Sequence, residues 1–214
     1  MTYKRFFSRI ILFLFSYSSF LIAQEKEEKE DSLLLYKGGR FQEAIANTQE
    51  ELNQNPNNLD ARVILIWSLI GAREYKKAEI ESMKGLAIKK YDSRIIQALG
   101  ESYFFQKQYK NALKYFQKYI SLEPSGPRII KVYNLIADSL YKLERYNEAD
   151  FAYENALRFL PNNQNLLLKL AKARINTKNK ILAKETLTTL LSLNPNHLEA
   201  KKLLEKLEKN NNNS

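Results

Sequence analysis

One histidine, no cysteine and no phosphate-cradling glycine loop leave this 214-residue chain little to catalyse with. Nucleophilic catalysis needs a nucleophile, a base and an orienting group held together in a pocket. The lone imidazole, His197, falls between two helical stretches and reads as a solvated or capping side chain. Structural and catalytic zinc sites draw on several thiolates or imidazoles, which this composition does not supply. Gly38 and Gly39 stand at a turn rather than in a loop that could wrap a phosphate. Carboxylates are plentiful, 24 in all, but they are scattered among lysines along helix faces. Hydrolysis by two acids needs an isolated pair in apolar surroundings, and none is spelled out. The expectation is a protein with no catalytic residue, no cofactor and no metal.

The elements that position these residues are helical. A hydrophobic content of 44% with only six glycines and five prolines suits one helical domain and disfavours an all-β design. The absence of cysteine also excludes a disulfide framework and a lipid-modified cysteine behind a leader. Lys4, Arg5 and Arg9 precede an apolar run from Ile10 to Phe15, and a serine-containing stretch leads to Ala23 before Gln24. Residues 1–23 therefore read as a secretory signal peptide or, if uncleaved, as a membrane anchor. Its apolar part is shorter than the roughly 20 residues that a bilayer-crossing helix needs. Either form exports the remainder, so the expected location is the periplasm or the cell envelope. Without the three leader cations, 31 basic residues face 24 acidic ones, an excess of seven. That excess is spread over the whole chain as on solvated helix faces, and no nucleic-acid footprint is expected. Residues 24–31 are almost entirely charged and read as a linker or a frayed helix start.

Beyond the leader the chain repeats. Ala44, Ala78, Ala112, Ala149 and Ala183 are separated by 34, 34, 37 and 34 residues. Three places before them stand Phe41, Tyr75, Tyr109, Tyr146 and Lys180; twelve places after them stand Pro56, Lys90, Pro124, Pro161 and Pro195. Each unit holds two amphipathic helices with apolar spacings of three and four, joined by a short turn near Gly39, Arg73, Lys107, Glu144 or Lys178. The alanine marks where the two helices cross, because a larger side chain would force the axes beyond the roughly 8–10 Å that helix packing allows. Proline ends the second helix, which it cannot continue. The 37-residue spacing contains Pro124, Ser125, Gly126 and Pro127, a turn sequence expected to lengthen the loop between the third and fourth units.

This pattern resembles the tetratricopeptide repeat. The third unit carries it best, with Ile96, Leu99, Gly100, Tyr103, Ala112, Phe116 and Pro124; the first is weakest, placing Glu28 and Asp31 where its opening helix should be apolar. The resemblance implies an all-α fold, an α-solenoid of five helix-turn-helix units in a right-handed superhelix. The units are expected at 25–58, 59–92, 93–126, 130–163 and 164–197, with a capping helix at 198–209 and a disordered tail at 210–214.

In that family the working surface is the concave groove lined by the first helix of each unit. Its places here hold Trp67 in the second unit and Arg94, Gln97, Glu101, Phe104 and Phe105 in the third. The fourth contributes Lys131, Asn134, Asp138, Tyr141 and Lys142, and the fifth Leu168 and Lys172. Aromatic anchors among amide and charged groups suit an extended peptide or a partner helix. One of Phe104 and Phe105 is expected to point inward. Charges at the groove places, with Asp60 included, nearly balance, which does not call for a strongly acidic ligand. The functional expectation is an exported, non-enzymatic scaffold with a protein or peptide guest. The alternatives are a self-associating envelope protein, joined through its stack ends or its capping helix, and a cell-wall-associated factor that binds glycan or assists an enzyme.

Overall fold

The computed structural model describes residues 30–209, so the leader, most of the charged linker and the 210–214 tail lie outside the described residues. The described residues form eleven helices. They are α1 (Ser32–Lys37), α2 (Phe41–Gln54), α3 (Leu59–Gly71), α4 (Tyr75–Ile88), α5 (Ser93–Phe105) and α6 (Tyr109–Leu122). After these come α7 (Ile129–Lys142), α8 (Tyr146–Phe159), α9 (Gln164–Asn176), α10 (Lys180–Leu193) and α11 (Leu198–Lys209). Each helix packs on the next, and α1, α3, α5 and α7 also touch in sequence, so the first helices of successive pairs form one continuous face. The architecture is an all-α solenoid. Among the described residues no helix is long and apolar enough to cross a membrane.

Local chemistry starts and stops each element at the same place in each pair. Asp31, Asn58, Asp92 and Asn163 cap α1, α3, α5 and α9 by accepting backbone N–H bonds, for example Asn58 Oδ1 from Ala61 at 3.1 Å. His197 occupies the corresponding place before α11, where its Nδ1 accepts from the Ala200 N–H at 3.3 Å. The lone histidine is therefore a helix cap. At the other end, Gly39, Arg73, Lys107, Glu144 and Lys178 all adopt positive φ, between 60° and 76°. The N–H after each reaches back five residues, as from Glu74 to the Leu69 carbonyl at 2.8 Å and from Gln108 to Tyr103 at 2.9 Å. This Schellman closure satisfies carbonyls that the helix end leaves open and turns the chain into the second helix. Four of the five units do so without glycine.

The core follows the repeat. Ala44, Ala78, Ala112, Ala149 and Ala183 are all completely buried at the helix crossings, with Ile66, Leu99, Phe116, Tyr153 and Leu187 packed around them. The first unit is short. Its opening helix has six residues where α3, α5 and α9 have 13, because the acidic residues before Ser32 have no apolar face to bury.

The three extra residues of the fourth unit are divided. Two lengthen the α6–α7 connection, which runs from 123 to 128 where the matching connections have four residues, and one makes α7 14 residues long. The buried Tyr119 hydroxyl pins this connection by accepting the Arg128 N–H at 3.3 Å.

Candidate functional site

The first helices bring most of the expected groove residues onto one face, where they border two hollows. The first, about 560 Å³, is lined by Tyr36, Phe41, Trp67, Tyr75 and Phe105, with Lys37, Arg73, Glu101, Arg128 and Lys131 among them. The second, about 240 Å³, is lined by Phe104, Asp138, Tyr141, Lys142, Tyr153, Lys169 and Lys172. Phe104 and Phe105 pack edge to face with ring centres 5.4 Å apart and form the wall between the two. Phe105 faces the first hollow, 41% exposed, while the half-buried Phe104 closes the second and packs on the core beneath.

Tilted and stacked rings build the floor of the first hollow. Trp67 lies 5.7 Å from Tyr36, Tyr36 lies 6.0 Å from Phe41, and Tyr75 stacks on Phe105 at 4.9 Å. The Arg128 guanidinium sits 4.6 Å over the Trp67 ring, a cation–π contact that reaches from the α6–α7 connection to the second unit. Glu101 at its base is neutralised by Lys131 at 2.5 Å and accepts a hydrogen bond from the Gln97 amide. Gln97 itself is wholly buried. Arg94 is held by Asp60 at 2.7 Å and by Asp92 at 2.9 Å, which fixes it along the edge.

In the second hollow Asp138 accepts from the Tyr153 hydroxyl at 2.6 Å and pairs with Lys169 at 2.7 Å. Lys169 also donates to Asn134 at 3.1 Å. Burial, reinforced by the Asp138 charge, pushes the Tyr153 phenol far above its ordinary range, so its proton stays in place. Tyr141 packs on Tyr146 at 5.1 Å and accepts from Asn176 at 2.9 Å. Lys172 pairs with Glu199 of α11 at 2.7 Å, so the terminal helix closes this end.

Of the residues expected to face a guest, Trp67, Phe104, Phe105, Tyr141, Lys142, Lys131 and Lys172 border the hollows. Asn134 and Asp138 are half-buried in the lysine-linked network. Leu168 is buried in the core with Leu187 and Leu190. Missed from the sequence were Tyr36, Lys37, Arg73 and Arg128. The irregular spacing was the signal for Arg128, since an insertion displaces whatever follows it. For Arg73 the signal was the repeat turn itself, which borders the first hollow as well as joining two helices.

The polar groups of both hollows are largely satisfied by one another. Among the described residues no cluster of three or more His, Asp or Glu side chains could hold a metal ion. What stays available is aromatic surface and the cations Lys37, Arg73, Arg128 and Lys142.

Comparison with known proteins agrees with this architecture. Two family models, both described as tetratricopeptide repeat, match residues 31–162 and 140–207. Among solved structures, the crystal structure of MamA superposes with a TM-score of 0.69 at 16% identity, covering 79% of this chain and 98% of that one. YrrB, titled a TPR protein with an unusual peptide-binding site, superposes at 0.68 and 16% identity over 78% of this chain and 84% of that one. A MamA RS-1 double mutant reaches 0.69 at 18% identity over 76% and 89%. No curated protein matches the chain significantly. At these identities the likeness concerns the fold, and the matched repeats, from Asp31 to the C-terminal helix, place the chain in the tetratricopeptide repeat family.

Proposed function

We propose that the protein is an exported scaffold that holds a segment of a partner protein in the groove of its first helices and carries out no reaction itself. The observation that carries this reading is the pair of aromatic hollows divided by Phe104 and Phe105, with their acids already neutralised. Such a surface offers exposed rings for burial and fixed polar groups for alignment, which is how anchor residues concentrate binding energy. The solved YrrB structure, a protein of the same fold, is titled as having a peptide-binding site, which supports the same use here. Export rests on the basic and apolar leader of residues 1–23.

The test is affinity purification of the full chain from its native cell, with sequencing of the N-terminus and identification of co-purifying proteins. The expected result is recovery from the envelope fraction with a partner that is lost on Trp67→Ala or Tyr141→Ala while helicity is retained. A partner that stays bound to both variants would remove the groove, and a cytoplasmic protein with an intact leader would remove export.

A further inference from the structure

We infer that the first hollow takes an acidic segment of the partner, one in which carboxylates flank an aromatic or aliphatic side chain. This rests on the reading of the groove as a partner site and names the chemistry of its guest.

The argument begins with the pairing of charges. By composition the groove is near balance, but its acids are spent inside the fold. Glu101 belongs to Lys131 and Gln97, Asp138 to Lys169 and Tyr153, and Asp60 and Asp92 to Arg94. Around the first hollow this leaves Lys37, Arg73 and Arg128 with no carboxylate among the described residues. Three cations without an acidic partner beside a wall of five aromatic rings produce a positive field, focused by the low dielectric of that wall. They repel one another until an anion arrives.

Arg128 has the geometry to receive it. It stands immediately before α7, in the place where Asn58, Asp92 and Asn163 cap their helices, and makes no side-chain cap of its own. The longer α6–α7 connection and the Tyr119 hydroxyl carry it instead over Trp67. Its guanidinium carbon lies 4.6 Å from the Trp67 ring centre, and among the described residues no carboxylate pairs with its N–H donors. A carboxylate can take two of them at once. The same ring that holds Arg128 offers, with Tyr75 and Phe105, the apolar surface for the neighbouring side chain. A volume of about 560 Å³ accommodates a few side chains rather than a folded element.

The test is selection of a random dodecapeptide display library on the immobilised full-length protein, followed by calorimetric titration of the enriched peptides into the native protein and its variants. The expected peptides carry net negative charge with acids next to aromatic or aliphatic residues, and their affinity falls as salt rises. Arg128→Gln weakens them about tenfold or more, the effect of losing a charge-assisted hydrogen bond. Arg73→Gln, at an exposed turn, gives a smaller loss and serves as a second variant. Enriched peptides that are neutral or basic, lose binding on Trp67→Ala and ignore Arg128→Gln would overturn the acidic guest while leaving the groove in place. Peptides indifferent to both Trp67→Ala and Tyr141→Ala, or no enrichment at all, would overturn both readings.

Discussion

The guanidinium of Arg128 lies 4.6 Å from the centre of the Trp67 ring, although the whole third unit separates the two along the chain. The contact depends on the connection between α6 and α7, which Tyr119 pins from below through the Arg128 N–H.

Trp67 should report this contact directly, since no other tryptophan contributes to emission. Arg128→Ala uncovers one face of the indole and raises its acrylamide quenching constant without loss of helicity. Tyr119→Phe removes the hydroxyl that positions the connection and shifts quenching in the same direction by a smaller amount. Quenching unchanged in both variants would mean that Arg128 does not cover the ring in solution.

The turn residues with positive φ give a prediction of increased stability. A side chain in the left-handed region costs roughly 1–2 kcal/mol, and glycine avoids that cost while losing roughly 0.5–1 kcal/mol of chain entropy. Lys107→Gly, at φ 61°, should therefore stabilise the protein by about 0.5–1 kcal/mol, while Lys107→Val should destabilise it. Thermal unfolding followed by circular dichroism checks the sign of both.

Gly100 has no room to grow. A Cβ there would stand 2.6 Å from the Phe116 ring, which is fully buried and cannot swing aside. Gly100→Ala should cost about 1–3 kcal/mol, as overpacked cores do. Urea unfolding of the variant, alone and with Phe116→Leu, provides the check: the second substitution should recover part of the loss if the clash is the cause.

Asp92 couples the α5 cap to acid stability. Burial alone would raise its carboxyl, but the hydrogen bonds and charge of Arg94, with the Ile95 N–H, outweigh this and hold it below the usual carboxylate value. A depressed carboxyl contributes stability above its unfolded pKa of about 3.9 and loses it as the pH falls through the folded value. Asp92→Asn keeps a capping side chain and loses the charge. The variant should be less stable than the native chain at neutral pH, and the gap should close below about pH 4. Urea midpoints of the two proteins measured from pH 7 to pH 3 decide it.

The repeat was legible because its causes are local. The crossing alanines, the aromatic residue three places before four of them and the prolines that follow four of the five second helices recur at a 34-residue spacing broken once, and each acts within its own pair of helices. The face that Phe104 and Phe105 occupy was legible for the same reason: their place along α5 sets it. The fate of the charges was not local. Glu101 and Lys131, or Asp138 and Lys169, lie on different helices, and only stacking brings them within bonding distance. A count of groove charges therefore looks balanced, while the paired structure leaves cations over. Gln97 and Leu168 show the same limit, since a helix face that is exposed in one pair is covered once the neighbouring pair is in place. The insertion after Pro124 was visible in the spacing, but its consequence was not. Where Arg128 points depends on a two-residue extension of a loop, an extra residue in α7 and a buried tyrosine hydroxyl, which act together only in three dimensions.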